Sequence, residues 1–331
     1  AASGNRLALQ TPRLTVDHNC TSQLSASCLA FAAHCSDQAG AVCADRVISL
    51  DWPDREAARQ DKFRGQFWPD DLLRSVDDYA AARDAGIPLL MSGVVHDFGR
   101  VIEPVHLCQH LAGSTPLIAD VKISDITRDD HGLMLIAEDG RRFSFDQIVV
   151  ATGAGLSKTL RQLAIAGVPV DITTGQVSHI PQQPALNPLK AGLSFGGYLT
   201  PCHNGFHELG ATFDRSEQIG GDYDAFFHNR DLLPPKLKNI LLHLDGCSGR
   251  TSQRASTPDR NPLMGQLAAG VYVLGAVGAR GFTLAPLLGE YLAAQIALMP
   301  NCLNQSIQTA LDPFRFRLRR GLKAQHFAGL K

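Results

Sequence analysis

The chain has 331 residues, 44% of them apolar and 19% charged, with a formal net charge of −1. That length supports about two domains with cores of their own. The charge gives no global field for nucleic acid, though a local basic patch is compatible with it. No apolar run reaches the roughly 18–20 residues of a membrane helix, and the opening Ala-Ala-Ser-Gly-Asn-Arg has no signal-peptide core.

In chain order, residues 21–35 and 70–85 read as helices. The second enters through Trp68-Pro-Asp-Asp and stops at Gly86-Ile-Pro. Val101–Pro104 is a short extended piece before a helix from about 105 to 111. A β-rich stretch follows, with strands Leu117–Ile126, Leu133–Glu138 and Phe143–Ala151, the last two joined by an Asp139-Gly140 turn. Phe145–Ala151 is nearly all apolar, the pattern of a strand buried on both faces. It ends at Thr152-Gly-Ala-Gly155, a glycine turn into a helix around Ser157–Leu163. Beyond it come strand Thr174–Pro181, then Leu193–Pro201 and His207–Phe213 as a hairpin, then helices Tyr223–Leu233 and Pro235–His243. The pattern predicts two discontinuous domains, one for a cofactor and one a sheet covering it.

Eight cysteines occur without a C-x-x-C, and Cys20, Cys28, Cys35 and Cys43 stand seven or eight apart. A zinc site usually needs closer pairs, so free thiols in a reduced, cytoplasmic, metal-free protein are expected. His106 and His110 make an i, i+4 pair with no third ligand nearby in sequence. Gly192-Leu-Ser194-Phe-Gly196 matches the G-x-S-x-G of a hydrolase elbow, but that motif needs a following helix and Gly197-Tyr-Leu-Thr-Pro reads as strand. Gly153-Ala-Gly155-Leu-Ser-Lys158 begins like a dinucleotide fingerprint and has lysine where the third glycine belongs. It reads as a second turn lining a cofactor site founded elsewhere.

The most informative stretch runs from Val271 to Gln295: an apolar strand, a turn with Gly275, Gly278, Arg280 and Gly281, and a helix. Glycines let backbone approach a ligand. Thr283 is placed to cap the helix, with Pro286 in its first turn. A helix N-terminus suits a group that becomes anionic. An ordinary strand-to-helix turn would give the same text.

This stretch resembles the C-terminal flavin turn of the D-amino-acid-oxidase/glycine-oxidase group. More specifically, the chain is similar to the FAD-dependent oxidoreductase half of MnmC-type tRNA wobble-uridine modification proteins. The resemblance rests on collinear blocks: Ala2-Ser-Gly-Asn-Arg6 with Thr11-Pro-Arg-Leu, Gly175-Gln-Val-Ser-His-Ile-Pro181, and Gly197-Tyr-Leu-Thr-Pro201. Gly210-Ala-Thr-Phe-Asp-Arg215, Arg254 with Thr257-Pro-Asp-Arg-Asn-Pro-Leu-Met-Gly265, and Gly278-Ala-Arg-Gly281 complete them.

The resemblance implies an FAD-binding doubly wound α/β domain of the glutathione-reductase/D-amino-acid-oxidase type, with an antiparallel-sheet substrate domain. Residues 1–40, 95–165 and 246–331 would form the first, and 41–94 and 166–245 the second. Such proteins begin with a strand, a G-x-G-x-x-G turn, a helix and a strand ending in Glu, about 30 residues that this sequence does not contain. Weak or no FAD binding by residues 1–331 alone is therefore expected, with unpaired strand edges.

Implied cofactor contacts are Ser3, Asn5 and Arg6 for the pyrophosphate and flavin side, given the segment that this sequence does not contain, and Ile123 for adenine through its backbone. Thr152, Gly153, Ala154, Gly278, Ala279, Gly281, Phe282 and Thr283 would line the cofactor, with N–H groups near Arg280–Phe282 facing charge on the reduced ring. Arg280 and Arg254 would take a substrate carboxylate and Tyr198 would stand on the substrate side. For each there is a plainer role: Arg254 paired with Asp259, Tyr198 a core aromatic, Ile123 a strand residue.

The implied substrate is 5-carboxymethylaminomethyl-uridine, or its 2-thio form, at the tRNA wobble position. A hydride leaves the glycine methylene for the flavin, the imine is hydrolysed, and glyoxylate departs from an aminomethyl-uridine. A fused or separate SAM-dependent methyltransferase would act next. The tail Arg315-Phe-Arg317-Leu-Arg319-Arg320 with Lys323 offers a basic cluster for tRNA phosphates, or a solvated helix end. Two other functions remain: a glycine/sarcosine-type amine oxidase, and a flavin-free inactive fragment.

Overall fold

The computed structural model describes residues 2–15, 17, 19–64, 68–70, 72–129, 132–213, 222–239, 245–300 and 303–319. By packing, the chain forms two compact units. One comprises Ala1–Ala112, Thr173–Gln253 and Phe282–Pro286; the other comprises Gly113–Ile172, Arg254–Gly281 and Leu287–Lys331.

An eight-stranded sheet organises the first unit. In spatial order its strands are Ser248–Ser256, Asp171–Pro181, Phe206–Gly210, Tyr198–Leu199, Gly192–Ser194, Val47–Leu50, Gly93–His96 and Arg74–Val76. Strands from Asp171–Pro181 to Gly192–Ser194 pair antiparallel, as do the three from the N-terminal part of the chain. The two groups meet through one parallel pair, with Gly192 opposite Val47. Ile48, Leu50, Val76, Ile180, Leu193, Leu199, Leu209 and Phe226 fill the core against it. A smaller sheet, in the order Ala8–Gln10, Arg100–Ile102, Val42–Ala44, carries helix Cys20–Ala39. Asn19 caps that helix by accepting the Ser22 N–H at 3.0 Å, and Gly40, at φ +64°, stops it.

Two expectations change here. The helix expected over residues 70–85 opens as the strand Arg74–Val76, and the helix itself is Asp78–Ala85. Asp77 is the better cap, accepting the Ala80 N–H at 2.8 Å, so the turn starts there. The strand expected over Leu193–Pro201 is cut by a tight turn, in which the Phe195 N–H meets the Gly197 carbonyl at 2.8 Å. Ser194 therefore lies in a strand–turn–strand unit with no helix after it, as the reading against a nucleophile elbow requires. Residues 214–215 and 240–243 lie outside the described residues.

The second unit contains two three-stranded sheets. Ile148–Val150 runs parallel to Val271–Gly275, which forms an antiparallel pair with Leu263–Ala268. Ile123–Asp129, Gly132–Ala137 and Arg142–Phe145 form an antiparallel meander. Ile126, Leu133, Ile148, Val150, Leu156, Val271 and Val273 make its core. The first expected strand starts late, at Ile123, because Asp120 takes a left-handed φ of +55° that breaks the extended run. The strand expected over Phe143–Ala151 divides into Arg142–Phe145 and Ile148–Val150. It is not buried on both faces: Ile148 and Val150 point inward while Val149 is 45% exposed. Ile148–Val150 lies at the edge of its sheet, where one face is enough to anchor it. Among the described residues, no helix is long and apolar enough to cross a membrane.

Candidate functional site

Within the second unit, the register of Val150 with Val273 brings the carboxyl ends of two parallel strands to one edge. Carboxyl ends of parallel strands are where open α/β sheets receive ligands. Each strand runs into a short 3-10 turn, Gly153–Gly155 in one case and Gly278–Arg280 in the other. Gly153 has φ +55°, and no atom lies within 4 Å of where its Cβ would stand. Thr152, Gly153 and Ala279 are exposed, and Ala154 is half-buried. Gly278, at φ +61°, needs to be glycine for its backbone.

The other two glycines serve the chain itself. A Cβ on Gly275 would fall 2.9 Å from Leu156, and one on Gly281 would fall 3.0 Å from Val277. Room for a ligand is thus a property of Gly278 and not of all three.

Ser256 bridges Val277, so the strand bearing Arg254 ends beside the Gly278 turn. Arg254 and Arg280 are both half-buried. Asp259 is held by Arg315, with Nε and Nη2 at 3.0 and 2.9 Å from its two oxygens. Burial pushes the Asp259 carboxyl up, but Arg315, the Asn261 N–H and the Thr257 hydroxyl outweigh it and bring it to about 2.

Arg315 is 2% exposed and also donates to the carbonyls of Asn261, Pro262 and Asp312. It cannot be the phosphate contact expected of the basic tail. Arg317 is likewise engaged, lying 4.5 Å over the Phe314 ring and donating to the Ala166 carbonyl. Arg320, Lys323 and the Arg319 side chain lie outside the described residues. Ile123 opens a strand of the other sheet and packs against the apolar core.

Helix Gly281–Ile296 begins at Arg280 without a side-chain cap, which leaves the first-turn N–H groups to other acceptors. Thr283 is not the cap. Fully buried, its hydroxyl accepts the Thr11 N–H at 3.2 Å and donates to the Thr11 carbonyl at 3.3 Å. Pro286 sits in the second turn, since the helix starts two residues before Thr283. The Phe282 carbonyl accepts from the buried Gln10 side chain at 2.8 Å.

The remaining residues belong to the first unit. Ser3 and Arg6 are exposed; the Arg6 guanidinium lies 4.2 Å over the Phe206 ring. Asn5 accepts from Arg250 Nη1 at 2.5 Å, and Arg250 also presses on Gly4. Tyr198 lies half-buried in its strand with its ring over Gly210, where a Cβ would come within 3.0 Å. Gln10 and Arg250 had no signal in the sequence beyond a polar residue in a strand.

Residues 3–295 match the family model described as FAD dependent oxidoreductase. The chain is 27% identical over 367 residues to the tRNA 5-methylaminomethyl-2-thiouridine biosynthesis bifunctional protein MnmC of Aeromonas hydrophila. That alignment covers 98% of this chain and 54% of the relative, so the chain spans about half the length of that protein. In fold it is similar to the L-proline dehydrogenase of P. horikoshii, with TM-score 0.71 and 15% identity over 94% of this chain and 87% of the other. It is also similar to glycine oxidase from Bacillus cereus, with TM-score 0.69 and 18% identity over 89% and 87%. With its mixed α/β fold and a family match over most of its length, this chain belongs to the FAD dependent oxidoreductase family.

Proposed function

We propose that this chain is the oxidoreductase part of a tRNA-modifying protein. It removes the carboxymethyl group from 5-carboxymethylaminomethyl-uridine, or its 2-thio form, at the wobble position and leaves the 5-aminomethyl form. One observation carries this reading: the alignment of 98% of the chain with the Aeromonas hydrophila MnmC protein. That relative's name specifies a methylaminomethyl product and two functions. An aminomethyl product needs a methyl group to become one, so a SAM-dependent methyltransferase, fused or separate, is the implied partner.

The residues present suit FAD on its ring side. The open cradle at Gly153, the left-handed Gly278 and the uncapped helix start at Arg280 offer backbone where a planar polar ring needs close approach. FAD, when bound, supplies the two-electron acceptor for C–N oxidation. Everything else falls to the chain. Thr152, Gly153, Ala154, Gly278, Ala279, Gly281, Phe282 and Thr283 are assigned to the ring side, Ser3, Asn5 and Arg6 to the pyrophosphate, and Ile123 to adenine.

Arg280 and Arg254 bind the glycine-like carboxylate through their planar forks, fixing the methylene that is oxidised. Tyr198 orients the amine. N–H groups of the first helical turn stabilise negative charge where it develops.

The test joins the chain to a G-x-G-x-x-G strand–turn–helix segment so that FAD can bind, supplies FAD and tRNA carrying the carboxymethylaminomethyl nucleoside, and reads nucleosides by mass spectrometry. Conversion to the aminomethyl nucleoside with release of glyoxylate is expected. Turnover of free glycine or sarcosine with no change in the tRNA would replace this reading by a small-molecule amine oxidase. Arg280→Met is expected to cost about 2–5 kcal/mol in kcat/KM through loss of the carboxylate contact.

A further inference from the structure

Three side chains from distant parts of the sequence converge in the first unit. Cys43 lies in strand Val42–Ala44, Glu103 directly precedes helix Pro104–Ala112, and His203 lies in the turn before strand Phe206–Gly210. Their sulfur, oxygen and nitrogen ligand atoms all lie within 4.8 Å of one another. Nε2 of His203 is 3.1 Å from Glu103 Oε1, yet among the described residues that buried nitrogen makes no hydrogen bond. A ring nitrogen that close to a carboxylate and not bonded to it is aimed at a third point. Two ligands of one tetrahedral zinc ion stand in this relation: with bonds of about 2.0–2.1 Å they lie roughly 3.3 Å apart, both directed at the ion.

The backbone holds each group in place independently. His203 and Phe206 exchange N–H to carbonyl bonds at 2.9 and 3.1 Å. The Glu103 N–H donates to the Ala41 carbonyl at 2.8 Å. Cys43 occupies a break in register, where Val42 pairs with Ile102 and Ala44 with Val101, and such a bulge re-aims the side chain it carries. Cys43 also lines an open cleft of about 480 Å³, together with Asp45, Arg46 and Lys190.

We propose that Cys43, Glu103 and His203 form a three-ligand site for Zn²⁺, its fourth position taken by water. The mixed sulfur, nitrogen and oxygen set selects zinc over magnesium or calcium, which want oxygen alone. Binding releases the thiol proton to solvent, and the metal forms bonds to Sγ, Nε2 and a carboxylate oxygen without redox change. The site ties strand, helix start and hairpin together, and none of its three ligands is among the residues assigned to the flavin. It departs from the metal-free expectation because ligands at 43, 103 and 203 leave no spacing signature.

The test uses the full chain, stripped by chelator and titrated with Co²⁺ as spectroscopic stand-in, with Zn²⁺ in competition. One equivalent with a thiolate-to-cobalt charge-transfer band is expected, lost in Cys43→Ser and kept in Cys202→Ser. Glu103→Gln and His203→Gln should each weaken Zn²⁺ at least the roughly tenfold that loss of an outer partner already costs. If Cys43→Ser does not fold, protection of Cys43 from alkylation by Zn²⁺, read by mass spectrometry on the unaltered chain, decides in its place. Absence of a bound equivalent, a cobalt spectrum without sulfur character, or no protection of Cys43 overturns the proposal.

Discussion

In the first unit, strand Asp171–Pro181 carries Thr174, Gln176, Ser178 and His179 into the interior, whereas the second unit fills its core with isoleucine, leucine and valine. Buried polar groups are generally matched, and most of these are, although Asn229 Oδ1, Glu208 Oε2 and His207 Nε2 find no partner among the described residues. His179 Nδ1 meets Glu208 at 2.7 Å, while the Asn229 amide donates to Ser178 Oγ at 3.0 Å and to the Gln176 carbonyl at 3.1 Å. Burial holds the His207 imidazole below its usual range, against the pull of the Thr200 carbonyl. A hydrogen-bonded polar interior fixes side chains in preferred orientations. An apolar one leaves orientation to backbone, and in the second unit the exposed chemistry is indeed carried by turns. The contrast has one exception, the Arg315–Asp259 pair, and that exception gives the sharpest way to break it.

Arg315→Met leaves Asp259 without its guanidinium and should destabilise the second unit by about 3–5 kcal/mol. Urea unfolding combined with hydrogen exchange on Leu263–Ala268 would measure it. A loss below about 1 kcal/mol would mean that the apolar core alone sets stability there. Asn229→Ala should cost about 1–3 kcal/mol, with faster exchange confined to Asp171–Pro181 and Phe206–Gly210. Exchange that speeds up in the second unit as well would erase the distinction.

Acid provides a third probe. Because the folded Asp259 sits near 2, below its ordinary 3.8, its contribution is present above about pH 4 and is lost as pH falls toward 2. The loss is at most about 2.5 kcal/mol, and it should shrink in Arg315→Met, where the Asn261 N–H and the Thr257 hydroxyl remain. Smallest is Asn19→Ala, about 1 kcal/mol from the lost cap of Cys20–Ala39, read as a shift in urea midpoint.

What could be read from sequence was local. The body of Cys20–Ala39, expected over 21–35, the long strand ending at Pro181, and the strand–turn–helix after Val271 announce themselves by apolar patterning and glycine turns. The misreadings were tertiary. Val149 looks buried until its strand is known to be an edge. Arg315 looks like surface charge until Asp259 is placed beside it, and Thr283 looks like a cap until Thr11 claims its hydroxyl. The resemblance supplied the family, but a Cβ on Gly275 or Gly281 would meet the chain's own side chains, so of the three glycines only Gly278 leaves open room. Cys43, Glu103 and His203 had no pattern at all, because only the fold makes them neighbours.

The parallel joint between the two antiparallel groups of the large sheet, Gly192 against Val47, has a kinetic meaning. Each flanking group of strands is closed by connections within its own part of the chain. The joint must instead bring position 192 back to position 47, and that loop entropy is spent before the contact returns anything. Two half-sheets that form early and a seam that closes late is the expected order of assembly for this unit.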